Sequence, residues 1–153
     1  GIVTCVVTGV PAGLGDPVFG KLSAMLAAAM MGINAAKGFD YGDGFAAAAM
    51  PGSKSVDLFR TDTDGRIVTA SNHSGGIQGG ISNGMPIVFR VAFKPIATMP
   101  VALPTVDARG QSTVIEVGGR HDVCVVPRAV PVVEAMAAMT VLDALMQQRA
   151  RSL

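Results

Sequence analysis

The segment SNHSGGIQGGISNG, residues 71–84, holds five glycines in fourteen positions. A core cannot be built from so little side chain. The backbone here is either a linker or a surface that something approaches closely. Ile77 and Ile81 argue against a linker, because isolated large aliphatics can pin a loop to a core. Asn72, His73, Ser74, Gln78 and Asn83 add polar groups. A lone His73 reads as a hydrogen-bonded loop residue before it reads as a catalyst. On spacing alone, ligand loop and plain loop stay equally open.

The flanking sequence supplies the regular elements. IVTCVVTG, residues 2–9, is β-branched and apolar on both faces, which predicts a buried strand. After the turn VPAGLGDP, Asp16 is placed to cap a helix that starts at Pro17 and runs to Met31. Val18, Leu22, Met25, Leu26 and Ala29 form its apolar stripe, and Gly32 ends it. INAAKGFDYGDGFAAA reads as extended, kinked at Gly38, Gly42 and Gly44. Residues 51–84 form a long polar loop with a turn at Asp64-Gly65. PIVFRVAFKP, residues 86–95, is a clear strand with Arg90 and Lys94 as polar members. Two short extended pieces follow, split by a turn near residues 107–110.

A second helix is expected over residues 131–151, with Pro131 in its first turn. Val133, Met136, Ala137, Thr140, Ala144 and Met146 line its apolar side. Glu134 near its start and Arg149 and Arg151 near its end suit the helix dipole. Strand, helix, strands, helix points to an α+β fold: a mainly antiparallel sheet with two long helices on one face, in one domain over residues 1–153.

Composition narrows the function. Half the residues are hydrophobic and 15% are charged, so surface buried against other chains is expected. A net charge of +1 gives no support to nucleic-acid binding. No uninterrupted apolar run reaches the ~18 residues of a membrane span. Cys5 and Cys124, far apart in apolar surroundings, read as buried free thiols of a reducing cytoplasm. No Cys/His cluster has zinc spacing, and no basic segment precedes an apolar one as in a signal peptide. The chain starts on a strand without an initiator Met, as a piece of something longer would.

Three stretches carry candidate chemistry. GVPAGLGDP lies between strand and helix, where a phosphate cradle would sit. It lacks the third glycine of a dinucleotide fingerprint and the Gly-Lys-Ser/Thr of a phosphate loop, so it reads as a tight turn. In FKPIAT, Lys94 is a solvated edge charge or, with Thr98, a phosphate site. In GGRHD, Arg120 and Asp122 make an ion pair or an anion site with a base.

Together these stretches resemble a known family. GRHDVCVVPRAVPVVEAM resembles the C-terminal signature of chorismate synthases, with Val123 where many members have proline. SNHSGGIQGGISNG, INAAKGFDYGDGF, GVPAGLGDPVF and FKPIAT resemble further blocks of that family, in its order and spacing. The resemblance covers essentially the whole chain. Family chains are much longer, and their N-terminal part, with a histidine motif and further arginines, has no counterpart here.

The resemblance implies one half of a β-α-β sandwich. It implies conversion of 5-enolpyruvylshikimate 3-phosphate to chorismate and phosphate by 1,4-anti-elimination with reduced FMN. It places FMN contacts at Asn34, Ala35, Gly79, Lys94, Pro95, Ile96, Ala97, Thr98 and Arg120. Arg120 would also meet substrate anions, and Asp122 would assist proton transfer. Full-length members are tetramers, and some reduce flavin with NAD(P)H, although no nicotinamide motif is present. A fragment would be inactive by itself. The alternative reading is a non-enzymatic folded module that serves subunit association.

Overall fold

The computed structural model describes residues 1–151. Its centre is a three-stranded antiparallel sheet in the order β1-β7-β2: β1 is Ile2–Val7, β2 is Ala36–Tyr41 and β7 is Ile87–Phe93. In β7, Ile87, Phe89, Val91 and Phe93 alternate inward and are all buried, as the two-residue strand period requires. The register sets Val3 opposite Val91 and Cys5 opposite Phe89, so β1 adds its buried residues to the same face. On the opposite face Arg90 pairs across the strands with Asp40, through Nε at 2.8 Å and Nη2 at 2.5 Å.

Two helices cover the buried face, α1 over Leu22–Met31 and α2 over Val126–Arg151. Leu22, Leu26 and Met30 of α1 and Ala129, Val133, Ala137 and Ala144 of α2 complete one core. The expected α+β fold with both helices on one face is therefore observed, but both helices start elsewhere than expected. Asp16 does not cap α1; its carboxylate pairs with Arg151 at the end of α2. The Leu22 amide, left open by helix geometry, donates to the Gly80 carbonyl at 2.7 Å. So α1 begins at Leu22, and Val18 is exposed rather than on the apolar stripe.

Helix α2 starts five residues early, at Val126, where Pro127 takes the first-turn position that suits proline. Pro131 lies inside the helix instead, with no amide to give the preceding turn. Met146 is exposed, not on the buried side. At 26 residues α2 is long and apolar enough to cross a membrane by length and composition alone. Its alanine and valine stripe is buried against the sheet.

The long polar region is organised by hairpins. Strands β3 (Phe59–Thr61) and β4 (Ile67–Thr69) flank the expected Asp-Gly turn, where Asp62 accepts the Asp64 and Arg66 amides at 2.9 Å. Strands β5 (Ile77–Gln78) and β6 (Ile81–Ser82) are joined by Gly79 and Gly80, both with positive φ. Strands β8 (Leu103–Val106) and β9 (Ser112–Ile115) close at the expected turn, where Asp107 accepts the Arg109 and Gln111 amides. Residues 44–48, expected to be extended, lie instead in a short 3-10 helix, Gly44–Ala49. Cys5 is buried as expected, and burial pushes its thiol pKa up. Cys124 is exposed, because it precedes α2 on an open loop.

Phe89 is fully buried at the centre of the middle strand. Phe89→Ala should cost about 3–5 kcal/mol. In urea unfolding this appears as a lower midpoint at unchanged slope. A loss below about 1 kcal/mol would mean the core is not organised around β7.

Candidate functional site at the end of the central sheet

The two ends of the core sheet carry different chemistry. At one end β1 starts, β7 ends and β2 starts. The Phe93 amide donates to the Gly1 carbonyl at 2.8 Å, and the Lys94 amide donates to the Ala35 carbonyl at 2.9 Å. The last bond joins two stretches singled out in the sequence, INAAKG and FKPIAT. Ala35 is the one non-glycine with positive φ (69°) among the described residues. That conformation costs on the order of 1–3 kcal/mol, and such strain clusters at ligand clamps.

The GGRHD loop reaches the same end. It leads into α2 at Val126, whose side chain packs against Gly1. Asn34, Lys94, Pro95, Ala97, Thr98 and Arg120 are exposed, while Ile96 is half-buried. Among the described residues neither Lys94 nor Arg120 has a carboxylate partner. Lys94, without a carboxylate partner among the described residues, makes this strand end receptive to an anion. Asp122 is not paired with Arg120. It holds Arg128, on the first turn of α2, at 2.8 Å. The next residue inward, His121, has its Nε2 buried with no hydrogen-bond partner among the described residues. A buried imidazole nitrogen without a partner fits a site that a ligand completes.

Gly79 does not join this group. It turns the β5–β6 hairpin, whose Gly80 carbonyl holds the first turn of α1. Asn34 and Ala35 follow the other end of α1, a helix of ten residues. The two ends are ~15 Å apart. Gly79 itself is open, with no heavy atom near the position a Cβ would take.

Asp57, which no sequence pattern singled out, organises the glycine-rich segment. Its carboxylate accepts the Ser71 hydroxyl at 2.7 Å, the His73 and Ser74 amides at 2.8 Å each, and the Ser74 hydroxyl at 2.6 Å. Burial pushes Asp57 up, but the Ser74 and Ser71 hydroxyls and the Ser74 and His73 amides outweigh it, leaving its pKa at about 2. Asp43, also missed, accepts His73 Nδ1 at 2.6 Å. Its own amide donates to the His73 carbonyl at 2.8 Å. A groove of about 710 Å³ lies beside His73 and is lined by none of the residues named for FMN.

Fold and edge together define an α+β protein with an anion-receptive strand terminus. A family model described as chorismate synthase matches residues 1–146. The chorismate synthase of Azobacteroides pseudotrichonymphae genomovar. CFP2 is 62% identical, over 94% of this chain and 40% of its own length. That of Parabacteroides distasonis is 58% identical, over 99% and 42%. A crystal structure of chorismate synthase aligns with a TM-score of 0.75 at 35% identity, over 97% of this chain and 37% of that one. The chain belongs to the chorismate synthase family. It spans about 40% of the length of the curated relatives it matches.

Asp57 supplies a linkage test. Its pKa is depressed on folding, so its stabilisation is complete above the ordinary value of 3.8 and is lost as pH falls through about 2. Asp57→Ala should destabilise by about 2 kcal/mol near neutral pH, since several donors lose a charged acceptor. Unfolding curves of the two proteins should converge between pH 4 and 2. A gap independent of pH would show that the carboxylate charge is not what holds the segment.

Proposed function

We propose that this chain is the FMN-contacting C-terminal part of a chorismate synthase. The whole protein would be a cytoplasmic, tetrameric carbon–oxygen lyase. It would convert 5-enolpyruvylshikimate 3-phosphate to chorismate and phosphate by 1,4-anti-elimination, with reduced FMN as cofactor. The observation that carries this reading is the backbone bond from Lys94 to Ala35, which joins two segments named for flavin.

The residues suit the cofactor. Lys94 and Thr98 supply a point charge and a hydroxyl donor for its phosphate. Asn34 and the left-handed Ala35 offer a polar side chain and open backbone beside them. Reduced flavin, when bound, supplies electron density and a proton-accepting nitrogen. The protein's own contribution is electrostatic. Arg120 balances the negative charge that develops as phosphate departs. Asp122, oriented by Arg128, is the carboxylate suited to receive and return a proton at this edge.

A second reading rests on α2. Val132, Met139, Leu142 and Met146 are exposed along one side of it, an apolar face suited to association with other chains. An anaerobic titration with reduced FMN, followed in the ultracentrifuge, separates the two. Saturable binding, weakened about tenfold or more in Lys94→Ala and in Arg120→Ala, supports the flavin reading; tenfold is 1.4 kcal/mol, typical of one charge-assisted hydrogen bond. Self-association with no flavin affinity supports the module. The purified chain should also turn over substrate several powers of ten more slowly than a full-length relative, since acid–base partners contribute ~10²–10⁴ each. Ordinary turnover would refute the division of the site between this chain and further sequence.

A further inference from the structure

The groove beside His73 lies outside the proposed flavin edge and has a chemistry of its own. It is walled by α1, the end of β2 and the 3-10 helix at residues 44–49. Its volume of about 710 Å³ falls within the usual ~300–1,000 Å³ range of small-molecule sites. The aromatic side chains are Phe39, Tyr41 and Phe45. Phe39 is anchored from behind by Phe89, with ring centroids 5.5 Å apart. Phe45 is 85% exposed at the rim. Alanines and Ile77 make up most of the remaining wall.

The titratable groups in the wall are engaged by partners. Asp40 holds Arg90 through two hydrogen bonds. His73 is held by Asp43. Among the described residues no unpaired cation faces the groove to attract an anion, and no unpaired carboxylate faces it to attract a cation. His73 lines the groove, and its Nε2 has no hydrogen-bond partner among the described residues, which leaves it for a ligand. The Asp43 carboxylate fixes Nδ1, so it fixes the ring plane and the direction in which Nε2 can bond. Ser23 and Ser55 bring hydroxyls to the same wall.

We infer that this groove is a binding site for a neutral, flat aromatic molecule carrying a hydroxyl group. The ring lies against Phe39, Tyr41 and Phe45, and the hydroxyl bonds to His73 Nε2. The inference does not rest on the flavin reading, because none of the residues named for FMN lines the groove.

Calorimetric titration of the 153-residue chain with 2-naphthol, naphthalene and 2-naphthoate tests it. Saturable binding of 2-naphthol is expected, with naphthalene and 2-naphthoate each at least tenfold weaker. Tyr41, the sole tyrosine in a chain without tryptophan, should report 2-naphthol by a change in its ultraviolet absorption. His73→Ala should remove the preference for naphthol over naphthalene. Ala47→Trp, at an exposed groove position away from the core, should abolish binding of all three while the circular dichroism of the chain is unchanged. Equal affinity for the three probes, or binding untouched by both substitutions, would overturn the proposal. Stoichiometric displacement of naphthol by FMN would also overturn it, since the groove would then be part of the flavin's own site.

Discussion

Strand β7 is the constraint on which the remaining structure depends. Among the described residues it is the one strand paired on both sides, to β1 and to β2. Its four inward residues are buried under both helices, so shifting its register by one residue would expose every one of them. Each end of the strand then continues into chemistry. Past Phe93 the Lys94 amide is tied to Ala35, which fixes the anion-receptive edge. Near its start, the Val88 amide donates to the Gly75 carbonyl and the Val88 carbonyl accepts the Gly42 amide. The glycine-rich segment and the turn before the 3-10 helix are thereby locked to the same strand.

The glycine-rich segment is a packed surface rather than a flexible one. A side chain at Gly42 would meet the His73 carbonyl oxygen, and one at Gly75 would meet Gly42 backbone. Both residues also have positive φ, so close approach and backbone conformation each require glycine. Gly79 is different. It is open where its neighbours are crowded, and only its conformation explains it. The same segment therefore does two jobs, backbone-to-backbone packing at one part and an accessible turn at another.

Much of the local structure was legible because the residues that decide it are neighbours in sequence. The alternation in β7 and the Asp-led turns at residues 62–66 and 107–111 all act over a few positions. The helix starts were less legible. The start of α1 depends on partners far along the chain: Asp16 is engaged by Arg151, and the Leu22 amide by Gly80. Pro131 was a reasonable first-turn residue, but Pro127 competes for the role and the packing of Val126 on Gly1 favours the earlier start. Of the candidate site, Asn34, Ala35, Lys94 to Thr98, Arg120 and Asp122 were named from motif resemblance. Asp57 and Asp43 were not, because a single aspartate in a polar stretch carries no pattern until its donors fold around it.

The sequence by itself determined the α+β class, the central strands, the turns and the family, since each rests on short-range periodicity or on contiguous motifs; that β1 buries one face only, with Ile2 and Val6 exposed, it did not show. Only the tertiary structure decided which polar residues meet. It set Lys94 beside Ala35, gave Asp122 to Arg128 rather than Arg120, and put Gly79 at the opposite end of α1. The physical reason is that side-chain pairing is chosen by distance in space. Antiparallel strands and returning helices bring together residues separated by tens of positions, and no local signal records where they will land.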